Sequence, residues 1–203
     1  MEVLSRPHAD RRIRSLGILA GGFNPPTRAH LALVGAAERV VDEVICVVPR
    51  IYPHKAFHGA TLEQRLDLLQ LAAGNPRRFG VAIAEKGLFA EIADEARAAL
   101  GADLDVQFIC GRDAADRIVN WDYGYPNAIV NMMERFGLLV ANRGGSWTPP
   151  AHLAHRVTAL AVPPGFDDIS STEVRSRLDR GDAWDHLVPA ELVSQVRDIF
   201  KRP

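Results

Sequence analysis

Residues 15–30 read SLGILAGGFNPPTRAH. The apolar run from Ser15 to Leu19, closing on Ala20, Gly21 and Gly22, predicts a strand that feeds a tight glycine turn. Two glycines let the backbone approach a ligand closely, and Pro25 and Pro26 stiffen the path onward. Thr27 is placed as a helix N-cap, with Leu31, Val34, Ala37 and Val40 or Val41 then recurring at helical spacing. Strand, glycine turn and helix together make the opening unit of a parallel sheet.

Working outward, that unit repeats. Val44–Val48 is an unbroken apolar run stopped by Pro49, and the loop IYPHKAFHG leads to a helix over Leu62–Ala73 with Leu62, Leu66, Leu69 and Ala73 on one stripe. Gly80–Ala84, Val106–Cys110, Leu138–Ala141 and Val157–Val162 read as further strands. Phe89–Leu100, a short segment after Asp113, Asn127–Arg135, Ser171–Arg180 and Ala190–Phe200 read as helices. Strands covered on both faces appear as continuous apolar runs, so the alternation predicts one doubly wound, Rossmann-like α/β domain with a mainly parallel sheet. Residues 1–14 read as a polar N-terminal tail, and residues 15–203 as the domain. Ligands in such folds bind beyond the carboxyl ends of the strands. The loops after the first, second, fourth and last strands are therefore where chemistry is sought.

Composition narrows the classes. The 203 residues are 47% hydrophobic and 24% charged, which is the balance of a globular protein. Lys and Arg number 24 against 25 Asp and Glu, for a net charge of −1. That argues against broad binding to nucleic acid or to an anionic membrane. No run approaches a membrane span, and the opening MEVLSRPHADRRIR lacks the apolar core of a secretory signal, so a cytoplasmic location is expected. Cys46 and Cys110 lie beside apolar runs without zinc-site spacing and read as small buried hydrophobes. The patterns GxxxxGK[ST], GxGxxG and GxSxG are all absent, which removes the usual support for a P-loop enzyme, a dinucleotide-binding oxidoreductase or an α/β-hydrolase.

Two loops carry anion-site features. With Thr27 as cap, His30 falls in the first helical turn, where free amides attract anions and an imidazole adds a donor; a capped turn with an incidental histidine is the alternative. Near the other end, Asp168-Ile169-Ser170-Ser171-Thr172-Glu173-Val174-Arg175 opens a helix in which Ser170 and Glu173 fit a capping box. Its amides, the hydroxyls of Ser171 and Thr172, and Arg175 suit phosphate oxygens, or else simply cap an exposed helix. Lys55 is either a triphosphate contact beyond the second strand or a solvated lysine. Asp113 is a site residue, an N-cap, or both. Trp121, within NWDYGYP, is an aromatic platform for a base or a core residue. His54 and His58, and likewise His152 and His155, do not have convincing metal-site surroundings.

Taken together these segments resemble a known family. GGFNPPTRAH is similar to the GGxFxPxHxGH segment of the HxGH-superfamily nucleotidyltransferases, and ISSTEVR matches their second signature, ISSTxxR. Pro53-His54-Lys55 resembles the PHK segment, and Gly111-Arg112-Asp113 with Trp121 the GxD…W segment, of nicotinate-nucleotide adenylyltransferases. Two departures stand out: Thr27 and Ala29 replace the first histidine and the glycine of HxGH, and Glu85–Leu100 contains nothing like the SYTxxTL stretch of that branch.

The resemblance implies transfer of AMP from ATP to the phosphate of nicotinate or nicotinamide mononucleotide, with release of pyrophosphate. It assigns His30, Thr27, Lys55 and Arg175 to the phosphates. Gly21, Gly22, Phe23, Asn24, Gly111, Asp113, Ile169, Ser170, Ser171 and Thr172 are assigned to the nucleotide, and Trp121 to the acceptor's pyridine. Mg2+ is expected to arrive with ATP, and no protein metal site is implied. The expected partners are ATP and a phosphorylated small-molecule acceptor, with a homo-oligomer admissible and neither nucleic acid nor membrane. Phosphopantetheine is the alternative acceptor, and a catalytically silent nucleotide sensor the alternative class. The cytidylyltransferase branch is disfavoured because its RTxGIS context is missing before Ser170.

Overall fold

The computed structural model describes residues 1–8, 10–51, 59–124, 126–141 and 147–200. In chain order the elements are β1 (Glu2–Ser5), β2 (Ser15–Ala20), α1 (Arg28–Ala37), β3 (Glu43–Pro49), α2 (Leu62–Ala73), β4 (Gly80–Ala84) and α3 (Phe89–Leu100). They continue with β5 (Asp105–Gly111), α4 (Arg112–Asn120), α5 (Ala128–Met133), β6 (Gly137–Ala141), β7 (Val157–Leu160), α6 (Ser171–Arg180) and α7 (Val193–Ile199). Short 3-10 turns at Ala151–Arg156, Asp185–Leu187 and Ala190–Leu192 complete the set.

The strands form one sheet in the order β1-β4-β3-β2-β5-β6-β7. Every neighbouring pair is parallel except β1–β4 at the edge. From β2 the chain builds outward through β3 and β4, then returns to the other side of β2 for β5, β6 and β7. The strand order therefore reverses between β2 and β5, which leaves a crevice at their carboxyl ends. Gly21 follows β2 and Arg112 follows β5, so both open onto that crevice.

Side chains alternate across the sheet and feed two apolar layers. Leu19, Val44, Cys46 and Val48 face the layer that holds the buried stripes of α1 and α2 together with Val174 and Val196. Leu16, Ile18, Ile45 and Val47 face the layer that holds Ala90, Ile92 and Ala93 of α3 and Met133 of α5. In that second layer Phe89 stacks on Phe108 at 4.2 Å, and Phe136 meets Phe108 edge-on at 5.1 Å. Cys46 and Cys110 sit in opposite layers, so the sheet separates them, and burial pushes both thiols up, Cys110 to about 12. They pack as small hydrophobes.

Three expectations give way. The opening segment is no tail over its first residues: Glu2–Ser5 pairs antiparallel with β4, and Arg6 then grips buried Glu43 with two hydrogen bonds of 2.8 and 3.0 Å. The helix after Thr27 stops at Ala37 and leaves Val40 51% exposed, with the buried stripe running through Ala29, Leu33, Val34, Ala36 and Ala37. The last helix starts at Val193, because residues 190–192 form a 3-10 turn behind Pro189. Among the described residues no helix is long and apolar enough to cross a membrane.

Candidate active site

The turn between β2 and α1 is held from several directions. Gly21 N–H donates to Val47 O at 3.0 Å, which continues the β2–β3 pairing by one residue. Phe23 follows with φ +47 and is buried, its ring centroid 5.0 Å from that of His30. Asn24 is 5% exposed, and its Oδ1 accepts Ala60 N–H at 3.2 Å. The Asn24 side chain thus braces the turn from inside.

Thr27 is the N-cap of α1, as expected, and half-buried His30 lies in the first turn. The Thr27 backbone N–H donates to His30 Nδ1 at 3.0 Å, and the Thr27 hydroxyl lies 2.8 Å from the same nitrogen. A backbone N–H can only donate, so Nδ1 is the acceptor and the neutral ring carries its hydrogen on Nε2. His30 fills the place that Glu or Gln takes in an ordinary capping box. This both satisfies a helix-end amide and fixes which nitrogen of the ring is the donor. Thr27 itself is fully buried, and its backbone N–H and hydroxyl both turn to the imidazole.

The second anion-site segment docks onto this same turn. Ser170 caps α6, its Oγ accepting Glu173 N–H at 3.1 Å. The Glu173 carboxylate accepts from Arg177 Nε at 2.7 Å, so only one half of the expected box is seen. Ser171 Oγ donates to Pro25 O at 2.7 Å. Arg175 Nη1 donates to Asn24 O at 2.5 Å across 151 residues of sequence, with Nη2 3.4 Å from Thr172 Oγ1. In this state Ser171 and Arg175 both spend a donor on the backbone of the turn. The starts of α1 and α6 are thereby joined through Asn24 and Pro25, with Ile169 packed against the core beside them. Helix-end amides from two directions and a guanidinium make an electropositive corner suited to phosphates.

The third group comes from β5. Gly111 is the N-cap of α4, which removes the capping role considered for Asp113. Asp113 is 87% exposed and stands 3.4 Å from Arg112 Nε. Trp121 follows the last residue of α4 and is 55% exposed, so it is not a core residue. Lys55, with Pro53, His54 and His58, lies outside the described residues. His152 and His155 are exposed on a 3-10 turn. Glu85–Leu100, where SYTxxTL would stand, is occupied by the turn after β4 and by α3. There Glu95 accepts the N–H groups of Glu85 and Lys86 at 3.0 and 2.9 Å, so the segment serves the packing of α3.

A cleft of about 620 Å³ opens elsewhere, lined by Arg28, Leu31, Ala32, Phe166, His186 and Val188 among others. Positions 28, 31 and 32 lie on the face of α1 away from His30, so the cleft is separate from the corner just described.

The reading of the sequence passed over Arg65. It is 6% exposed, donating through Nη1 to Gly22 O at 3.1 Å and through Nε to Thr61 O at 3.3 Å. A signal for it exists: Arg65 stands on the apolar stripe of α2 among Leu62, Leu66 and Leu69, where a charge needs partners.

Residues 18–177 match the family described as cytidylyltransferase-like. A protein of Gloeobacter violaceus named probable nicotinate-nucleotide adenylyltransferase is 30% identical over 93% of this chain and 97% of its own length. One of Anaeromyxobacter dehalogenans with the same name is 32% identical over 91% and 95%. The solved Plasmodium falciparum nicotinic acid mononucleotide adenylyltransferase, complexed with NaAD, superposes with a TM-score of 0.71 at 16% identity, covering 91% of this chain and 95% of that one. That last likeness is one of fold.

Proposed function

The chain belongs to the cytidylyltransferase-like family, and on that footing we propose that it is an adenylyltransferase of NAD biosynthesis, moving AMP from ATP onto the phosphate of nicotinate mononucleotide. The names borne by its relatives support that acceptor. The observation that carries the chemistry is the meeting of two capped helix starts, α1 and α6, on one turn at the reversal of strand order.

In the reaction an oxygen of the acceptor phosphate attacks the α-phosphorus of ATP in line. The bond from that phosphorus to the bridging oxygen of the β-phosphate breaks, and pyrophosphate leaves with the electron pair. No bond to the protein forms. The chain's task is positioning and stabilising charge as it moves onto the leaving group. His30 donates Nε2–H to a phosphate oxygen, and Thr27 holds the ring in that tautomer. The amides at Ser171 and Thr172, with Arg175 and Lys55, receive the departing pyrophosphate. Gly21, Gly22 and Phe23 bring backbone close to the nucleotide while Asn24 supports them. Gly111 and Asp113 hold its sugar, and exposed Trp121 offers a face to the acceptor's pyridine. Magnesium comes with ATP as part of the substrate and offsets triphosphate charge; among the described residues no group of three His, Cys, Asp or Glu forms a ligand set for it.

Pyrophosphate release from Mg-ATP, measured with nicotinate mononucleotide, its amide, phosphopantetheine and FMN in parallel, tests the reading. Nicotinate mononucleotide is expected to give the highest kcat/KM. A higher value for phosphopantetheine would move the acceptor assignment while keeping the chemistry. No release with any acceptor would make the protein a nucleotide sensor.

A further inference from the structure

Among the described residues four polar side chains lie in the buried interior: Asn24, Thr27, Glu43 and Arg65. Glu43 is met by Arg6 at the amino end of β3. The other three all brace the turn between β2 and α1. Thr27 holds His30, Asn24 takes Ala60 N–H, and Arg65 donates to Gly22 O. Burying a guanidinium is costly unless its donors are used, so an arginine kept on the apolar stripe of α2 is informative about the place it serves.

We propose that Arg65 is a positioning residue of the phosphate-binding turn, acting through the Gly22 carbonyl; this rests on the nucleotidyl-transfer reading above. In a trans peptide the C=O and the following N–H point in opposite directions. With Gly22 O drawn inward to Arg65, the Phe23 N–H points the opposite way, away from α2, and is free of that contact to meet a phosphate of a bound nucleotide. Phe23 has φ +47, which a bulky residue seldom adopts, so the turn needs an external hold. The hold is double. The segment that leads into α2 also supplies Ala60 N–H to Asn24, after Gly59 at φ +105, where a Cβ would come within 2.9 Å of the Phe200 ring. Arg65 Nε on Thr61 O ties the guanidinium to the cap of its own helix, so the geometry of the α2 start is passed to the turn.

The test compares Arg65→Met, which fills similar space without donors, with Arg65→Lys and with Arg97→Met as a control. Arg97 donates to Leu104 O at 3.1 Å, at the amino end of the sheet. Pyrophosphate binding is measured by calorimetry, and kcat and KM by pyrophosphate release. Arg65→Met is expected to bind pyrophosphate roughly 10- to 100-fold more weakly, the worth of the charged hydrogen bond to Gly22 O that holds the turn. Its kcat should fall by a similar factor while KM for the acceptor stays put. Arg65→Lys should recover part of both. Arg97→Met should lower Tm and leave pyrophosphate binding alone. Parental pyrophosphate affinity in Arg65→Met, or in Arg65→Lys should the methionine variant not fold, overturns the proposal. If the parent binds pyrophosphate but transfers AMP to no acceptor, the reaction reading fails and Arg65 is still judged by binding. A parent that does not bind pyrophosphate overturns both.

Discussion

Replacing His30 by glutamine, alanine and glutamate separates two jobs done by one ring. Its Nδ1 accepts Thr27 N–H at 3.0 Å, which caps α1, and its Nε2–H is the donor proposed for a phosphate. Alanine removes both. Losing a transition-state donor of this kind costs about 10²- to 10³-fold in kcat, or about 2.7–4 kcal/mol. Losing the cap costs about 1 kcal/mol of stability, which lowers Tm by roughly 2–4 °C in a chain of this size. Glutamate at the same helix position rebuilds an ordinary capping box and is favoured by the helix dipole, so its Tm should equal or exceed the parent's. It has no donor and sets a negative charge against the triphosphate, so its activity should fall below that of alanine. Glutamine rebuilds the cap and retains an N–H donor, and should lie between parent and alanine in kcat. Activity should therefore rank His, Gln, Ala, Glu, while alanine alone loses Tm. Thermal melts and pyrophosphate release at saturating substrates read the two scales. If activity followed Tm across the four proteins, or if the glutamate variant turned over like the parent, His30 would be only a cap.

Arg175→Lys should keep one of the two contacts to Asn24 O and Thr172 Oγ1 and part of the activity. Arg175→Ala should lose about 10²-fold in kcat/KM and be inhibited less by pyrophosphate; equal inhibition constants in the three proteins would contradict a role toward the leaving group. Trp121→Ala should raise KM for the mononucleotide roughly 5- to 150-fold, the worth of one stacked base, and leave KM for ATP nearly unchanged. An equal rise for both substrates would contradict that role. The Asp42 carboxyl accepts Arg14 N–H and Ser15 N–H at 2.8 and 3.0 Å, which holds it below the ordinary carboxylate range. A carboxyl depressed on folding stabilises above its unfolded pKa, about 3.9, and that stability fades as pH falls through the folded value. Asp42→Asn should thus melt lower than the parent at pH 7, and the gap should close below about pH 4; a gap constant from pH 7 to pH 3 would count against this.

The elements read most directly from sequence were those whose pattern is local. β4, α2, α3 and α6 begin and end at the residues that the apolar pattern, Gly74, Gly101 and Ser170 indicate. β1 was invisible because its four residues sit between Met1 and the charged Arg6, and only pairing with distant β4 makes them a strand. In the site, the capped positions of Thr27, His30 and Ser170 were legible from spacing. What each side chain then holds was not. Thr27 turns to an imidazole, Asn24 to Ala60, Ser171 to Pro25 and Arg175 to Asn24 because β2, α2 and α6 meet in space, and no window of sequence contains that meeting. Arg65 is the instructive omission, since a lone charge on an apolar stripe marks the spot where a loop backbone needs support.

The corner between the starts of α1 and α6 is proposed to carry AMP from ATP to a mononucleotide phosphate. Following label from ATP marked at the α- or at the γ-phosphorus, with nicotinate mononucleotide and magnesium present, tests it most directly. α-Label is expected in a dinucleotide, matched one for one by γ-label in pyrophosphate, and neither without the mononucleotide. Release of γ-label as orthophosphate, α-label retained on the protein, or label movement indifferent to the mononucleotide would contradict it.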